Sequence, residues 1–363
     1  MKDKIKVIIV DDSATVRQVL KEVLSQDSKI DVTSIASDPV IALKMMQSDW
    51  PDVIITDIEM PKMDGISFTK KIMSERPTPI VVCSALTGDN AKLSMEAMAA
   101  GAVEVISKPK VGTKDFLYES GVAITDSVKS AAKANLDKVV TADSKTSKFA
   151  SPKLSADAML PPARKKVSGG VSENIIAIGA SAGGTQTIEY ILKVLNKQTT
   201  GIVIVQHMPE TFTEAFANRL NSVCDIYVKE AVDNEIIERG KVLIAPGNKH
   251  MLVEKYGEQF RVRIKDGPLV SRHRPSVDVL FRSVSKYGGK NILGIILTGM
   301  GDDGATGMVE MKKMGITTIA QSKESCIVYG MPKMAIERGG AVKILSLDAI
   351  CSEIITFSNQ FNR

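Results

Sequence analysis

Short runs of β-branched residues, each followed by a helix-length amphipathic stretch, recur along both halves of the chain. This alternation constrains the fold most, because it favours parallel strands joined by crossover helices over all-α or all-β arrangements. Toward the N-terminus, KVIIV (6–10) reads as a buried strand. ATVRQVLKEVLSQ follows as a helix with Val16, Val19, Leu20, Val23 and Leu24 on one face. The pattern repeats through VTSIAS, PVIALKMMQSD, DVIITD, GISFTKKIMSE, PIVVCSA, AKLSMEAMAAG and VEVISK. Five strands alternating with helices predict a doubly wound parallel sheet. Toward the C-terminus, NIIAIGASAGG, GIVIVQ, KVLIAPG, NILGIILTG, TTIAQ and AVKIL predict a second α/β unit, mostly parallel.

The chain's 363 residues suit two domains. Residues 110–172 hold 11 Lys and Arg against 6 Asp and Glu, whereas the remaining residues hold 36 of each sign. The whole net charge of +5 therefore lies in one stretch rich in Ala, Ser and Lys, which reads as a solvated linker. The expected division is a domain at 1–123, a polar basic linker at 124–172 and a domain at 173–363. Charge that is even elsewhere, and no helix-turn-helix with a basic recognition helix, argue against nucleic acid. The longest apolar run, around Asn291–Leu297, is strand-sized and far short of the ~20 residues of a membrane span. MKDKIKVIIVDD lacks the long apolar region of a signal peptide, so a cytoplasmic location without membrane insertion is expected. Four scattered cysteines without a CxxC pair indicate neither a disulfide framework nor a zinc site.

Parallel sheets bind ligands beyond the carboxyl ends of their strands. In the first domain the polar residues at those ends are Asp11 and Asp12, Asp57, Ser84 and Lys108. Converging carboxylates repel one another, and a hard divalent cation relieves this; Mg²⁺ suits a few carboxylates and a phosphate. A lysine and a hydroxyl opposite complete a cradle for a transferred phosphoryl group.

In the second domain Gly179-Ala180-Ser181-Ala182-Gly183 has G-x-S-x-G spacing, which presents a serine on a tight turn after a strand. A dinucleotide loop is the rival, but G-x-G-x-x-G needs glycine where Ser181 stands. His207 and the pair Asp302 and Asp303 also follow strand-like runs. Ser, His and Asp supply a nucleophile, a base and a base-orienting carboxylate. Their order, Ser–His–Asp, differs from the Ser–Asp–His of α/β-hydrolases. His250 and His273 compete with His207 as bases.

Residues 3–122 resemble the bacterial response-regulator receiver domain, through the DD pair, D-x-x-M-P-x-M-D-G at Asp57–Gly65, Ser84 and Lys108-Pro109. The resemblance implies a flavodoxin-like domain in which Asp57 accepts a phosphoryl group from a histidine kinase. It implies Mg²⁺ held by Asp11, Asp12, Asp57 and the Glu59 backbone carbonyl, with Ser84 and Lys108 sensing the phosphate. Where that family often has a Tyr or Phe switch rotamer, this chain has Val105.

Residues 173–350 resemble the catalytic domain of the chemotaxis protein-glutamate methylesterases, through GASAGG, VQHMP, APGNKHM, RPSVDVLF and LTGMGDDGA. This resemblance implies a Rossmann-like three-layer domain with Ser181 as nucleophile, His207 as base, Asp303 as third member and the Met300 N–H as oxyanion donor. Asp302 takes the preceding, variable position. Ala182 stands where the family often has Thr. The implied activity is a phosphorylation-activated serine hydrolase that demethylates glutamate γ-methyl esters on the cytoplasmic helices of chemoreceptors. Deamidation of receptor glutamines is implied as well, and no cofactor is implied for hydrolysis. The unphosphorylated receiver is expected to cover the catalytic edge. The alternative is a response regulator whose second domain is a non-catalytic, phosphorylation-gated binding module.

Overall fold

The computed structural model describes residues 4–85, 87–109, 114–139, 174–287 and 291–360, with backbone alone over 114–120. The N-terminal sheet has the order β2-β1-β3-β4-β5. Its strands are β1 (Ile5–Val10), β2 (Ile30–Ala36), β3 (Val53–Thr56), β4 (Ile80–Ser84) and β5 (Glu104–Ser107). All pairings are parallel. Because side chains alternate along a strand, an all-apolar strand must be covered on both faces. Val7 and Ile9 pack toward α1 (Ala14–Ser25) and α5 (Lys114–Ala131). Ile8 and Val10 pack toward α2 (Pro39–Met46), α3 (Gly65–Glu75) and α4 (Gly88–Ala99). Side chains of Ser13, Asp38, Asp64 and Thr87 cap the first four helices, which fixes where each strand-end loop stops.

The C-terminal sheet is wholly parallel and seven-stranded, in the order β14-β13-β12-β6-β7-β9-β8. From β6 (Ile175–Ala180) the chain passes to β7 (Gly201–Gln206), β8 (Tyr227–Glu230) and β9 (Lys241–Ile244) on one side. It then returns to β12 (Ile292–Ile296), β13 (Thr317–Gln321) and β14 (Lys343–Leu345) on the other. The direction of winding reverses at β6 and β12, where an open α/β sheet forms its crevice. One face is covered by α6 (Gly184–Lys193), α7 (Phe212–Val223) and α11 (Leu347–Asn359). The other is covered by α8 (Val277–Ser285), α9 (Ala305–Lys313), α10 (Met331–Glu337) and an antiparallel hairpin, β10 (His250–Tyr256) with β11 (Gln259–Lys265). This is the expected three-layer α/β architecture, with β8 and the hairpin as additions that the sequence reading omits. Among the described residues no helix is long and apolar enough to cross a membrane.

The boundary expected at residue 123 falls inside α5. That helix runs to Ala131, with Ile124, Val128 and Ala131 buried against Val7, Ile9 and Leu20. Spacings of four and three residues put these side chains on one face, but the surrounding Ser, Ala and Lys give the segment a linker's composition. Past α5, the Asn135 N–H donates to the Ile327 carbonyl of the second domain at 2.8 Å. Most of the expected linker, residues 140–172, lies outside the described residues.

The core beneath α2–α4 continues into the core of α6 and α7. Gln186 Nε2 donates to the carbonyls of Ala102 (2.7 Å) and Met98 (3.3 Å), and the Gly183 N–H donates to Val103 O at 3.2 Å. Arg272 meets Asp126 of α5 at 3.4 Å. The two domains thus meet mainly through α4 and the α4–β5 loop of the first and α6 and α7 of the second.

Close approach of backbone to backbone governs the loop after β3. A Cβ on Gly65 would lie 2.0 Å from the Asp57 carbonyl oxygen. Gly65→Ala is therefore expected to destabilise the first domain by about 1–3 kcal/mol, as overpacking does, seen as a melting temperature lower by several degrees. An unchanged melt would mean that this loop shifts freely.

Candidate active site

In the parallel register of β6 and β7, Gly179 lies beside Val205 and Ala180 beside Gln206. Ser181 and His207 therefore leave neighbouring strands together, about 4.8 Å apart in backbone. The His207 N–H donates to Ala180 O at 3.0 Å, and Gln206 Nε2 straps the two loops by donating to the carbonyls of Ser181 and His207, each at 3.0 Å. On the other side of β6, the Ser181 N–H donates to Thr298 O at 3.0 Å, just past β12. Gly183 follows with φ +74°, and a Cβ there would meet Ile327 at 2.6 Å. Glycine is required twice over for the turn that carries Ser181.

Asp303 is 1% exposed. Its Oδ1 accepts from Ser276 Oγ (2.8 Å) and the Asp278 N–H (2.9 Å), and its Oδ2 from the Val277 N–H (2.7 Å). The start of α8 thus grips the carboxylate as helix N-termini grip anions. The second contact of Oδ2 is His207 Nε2, at 2.8 Å. Burial alone would raise the Asp303 pKa. The His207 hydrogen bond and charge, with the Asp278 and Val277 N–H groups, outweigh burial and hold it at about 2.

A carboxylate on Nε2 selects the tautomer with its proton there, leaving Nδ1 with a lone pair. Nδ1 is buried without a partner, and the Ser181 hydroxyl makes no hydrogen bond among the described residues. Nδ1 is the nitrogen free to accept a proton, and both residues line one cavity. The other two histidines separate cleanly. His250 is buried with Nε2 at 2.8 Å from Pro268 O and Nδ1 accepting the Ser276 N–H at 3.3 Å, so it supports α8 and is not free as a base. His273 stacks on the His207 ring.

Asp302, one residue from Asp303, instead turns outward to an ion pair with Arg338. Met300 follows Gly299, at which a Cβ would meet Ser181 Cβ at 2.7 Å. Among the described residues no hydrogen bond engages the Met300 N–H. Ala182 is buried against Ile327 and Val328 and offers no hydroxyl. Ser276 and Gln206 escape the sequence reading. The start Ser-Val-Asp in RPSVDVLF, a capping serine before an apolar helix, was the available signal for Ser276; nothing local marks Gln206.

The first domain closes over this edge. Ser181, Ala182, Thr185, Gln206, His207 and Met208 share with Met98, Val103, Glu104 and Val105 a cavity of about 10 Å³, which is at most room for one water. Val105 belongs to the core shared by the domains.

The second cluster lies at the C-terminal edge of the N-terminal sheet. Carboxylate oxygens of Asp11, Asp12 and Asp57 lie within 4.8 Å of one another and could hold a metal ion. Lys108 Nζ sits 2.6 Å from Asp57 Oδ2 and 3.0 Å from Asp11 Oδ2. Burial raises the Asp57 pKa; Lys108 opposes this and the Asp11 charge adds to it. Among the described residues Ser84 Oγ is buried without a hydrogen-bond partner. Glu59, with an exposed side chain, lies two residues past Asp57 in the same loop.

Two separate regions of the chain match known families. Residues 176–354 match the CheB methylesterase family and residues 7–116 the response regulator receiver domain. A protein-glutamate methylesterase/protein-glutamine glutaminase of Geobacter metallireducens is 53% identical over 352 residues, covering 97% of this chain and 98% of its own. One from Photobacterium profundum is 54% identical over 355 residues, covering 97% of this chain and 100% of its own. The crystal structure of the Thermotoga maritima CheB methylesterase catalytic domain is 37% identical, with a TM-score of 0.50, over 51% of this chain and 99% of that one. The chain therefore belongs to the protein-glutamate methylesterase/protein-glutamine glutaminase family, a hydrolase domain joined to a response-regulator receiver.

Proposed function

We propose that the chain is a serine hydrolase for glutamate γ-methyl esters of chemoreceptor cytoplasmic helices, and for specific receptor glutamines, with activity released by phosphorylation of Asp57. One observation carries the reading: Ser181 and His207 leave adjacent strands beside the helix-held Asp303, beneath the receiver. His207 Nδ1 takes the Ser181 proton as Oγ attacks the γ-carbonyl carbon. Asp303 stabilises the imidazolium without taking its proton. The Met300 N–H faces the oxyanion of the tetrahedral intermediate. The intermediate collapses as His207 protonates the leaving group, methanol from an ester or ammonia from an amide. Water, activated by the same nitrogen, then resolves the acyl-enzyme to glutamate.

At the receiver, Asp11, Asp12, Asp57 and the Glu59 carbonyl would hold Mg²⁺, which neutralises charge on an incoming phosphoryl group. The carboxylate cluster and the orphaned Ser84 hydroxyl support that assignment. Once Asp57 carries the phosphoryl group, Lys108 and Ser84 bind its oxygens, with a histidine kinase as the natural donor. Lys108 directly follows β5, and the carbonyls of Ala102 and Val103 just before β5 hold Gln186 and Gly183. A shift at one end of this strand acts on the docking contacts at the other.

Ser181→Ala and His207→Ala are each expected to lower turnover on the order of a millionfold, and together hardly further, as members of one unit. Asp303→Asn should cost about 10⁴-fold, whereas Asp302→Asn should cost little. Methanol release from methylated receptor membranes reads all four, and a tenth of normal activity in the first two would refute the triad.

Labelling by acetyl phosphate should vanish in Asp57→Asn and in EDTA. Persistence in either case would move the acceptor or remove the metal.

A fragment beginning near residue 171 should outpace the unphosphorylated full chain on receptor by roughly 5–150-fold, the span of a ~1–3 kcal/mol docking preference. On a small soluble ester the two should differ much less. Equal rates on receptor would leave recruitment or direct activation as the receiver's role.

A further inference from the structure

One hydrogen bond does not orient an imidazole. The His207 ring is anchored at Nε2 by Asp303, and that contact alone fixes neither the tilt of the ring nor the direction of Nδ1. The second constraint is a flat one. His273 lies parallel to His207, with ring centroids 3.6 Å apart and planes 10° from parallel.

His273 is delivered there by a turn held against its residues' own preferences. Val270 and His273 exchange backbone hydrogen bonds at 3.0 and 2.9 Å. Between them Ser271 and Arg272 both adopt left-handed backbone, with φ of 52° and 70°. Two-residue turns with two positive φ values favour Asn-Gly, and a non-glycine residue is strained there. Ser271 Oγ donates to Asp278 Oδ2 at 3.2 Å, and Asp278 Oδ1 accepts the Gly307 N–H at 2.7 Å. The turn is thereby tied to α8, the helix that grips Asp303. Burial first, and the neighbouring His207 second, push the His273 pKa well below the ordinary imidazole range. A neutral ring can face the developing His207 imidazolium without repulsion.

We propose that His273 is a positioning residue for the hydrolysis: its ring fixes the plane of His207, so that Nδ1 is directed at Ser181 while Asp303 fixes the opposite corner. This rests on reading His207 as the base. The requirement is a flat partner, and the chemistry of the His273 nitrogens is not used.

The test uses the full chain, phosphorylated with acetyl phosphate, with kcat and KM from methanol release on methylated receptor membranes. Misplacement of a reacting group by ~1 Å costs about 10²-fold, so His273→Ala should lower kcat roughly 10–100-fold with KM within about twofold. His273→Phe, which restores a flat face without a titratable nitrogen, should return kcat to within about fivefold of the parent. His273→Leu, which fills space without a flat face, should behave like His273→Ala. Should His273→Ala melt early, the Phe and Leu variants carry the test between them. Equal kcat for Phe and Leu, or an unaltered kcat in His273→Ala, would overturn the proposal. His207→Ala, run in parallel, separates the two readings: if it stays active, the assignment of the base has failed, whatever His273 does.

Discussion

The buried charge of Asp303 is the constraint around which the catalytic edge is built. Removing a carboxylate from water costs several kcal/mol unless hydrogen bonds replace the lost hydration. Three of its four partners come from the first residues of α8, so that helix must begin where β12 ends. The fourth is His207, whose tautomer follows from being the donor. Ser181 then has its place because β6 lies between β7 and β12. The order Ser–His–Asp in the chain becomes a spatial order with Ser181 on the middle strand. No α/β-hydrolase connectivity is needed for that geometry.

Both domains obey one rule of parallel sheets, that chemistry gathers where strands end, and the coupling between them is correspondingly short. Lys108 marks one end of β5, while the carbonyls that hold Gly183 and Gln186 precede the other. Four residues of strand span about 13 Å. A signal over that distance needs no long chain of side chains. It needs β5 and α4 to move together, because the polar docking contacts at Met98, Ala102 and Val103 are made by backbone carbonyls. Val105 carries no ring to rotate, and its side chain lies in the core shared by both domains.

Groups that terminate apolar strands were legible in the sequence, because an Asp, Ser or His after a β-branched run has few other places to be. Asp57, Lys108, Ser181 and His207 were all visible for this reason. Choosing Asp303 over Asp302 needed the family resemblance, and the structure supplies a physical ground for it: one side chain turns in to α8 and the other out to Arg338. The end of α5 was hidden by small and charged residues around a sparse apolar face. The hairpin after His250 was missed although HMLVEKY and QFRVRIK carry alternating apolar positions across a two-residue turn. His273 could be singled out only as one of three histidines. Its stacking depends on a turn whose Ser-Arg centre lacks the usual Asn-Gly signature.

The energy scale of the docked state shows why a well-packed interface is compatible with a switch. Apolar side chains such as Met95 and Met98 of α4 lie in the shared core, and full burial of such a side chain is worth about 1.5–3 kcal/mol. Against this stands the cost of ordering one domain on the other. A tether of suitable length raises the effective concentration of its domain to the order of mM. An interface with a dissociation constant near 10 μM between separate domains would then be about 99% docked. Weakening it about a hundredfold, by roughly 2.7 kcal/mol, would leave the catalytic edge open half of the time. A change of that size lies within reach of a phosphoryl group that takes Lys108 from two carboxylates. The interface therefore needs to be weak enough to yield, and the covalent connection supplies the rest of its hold.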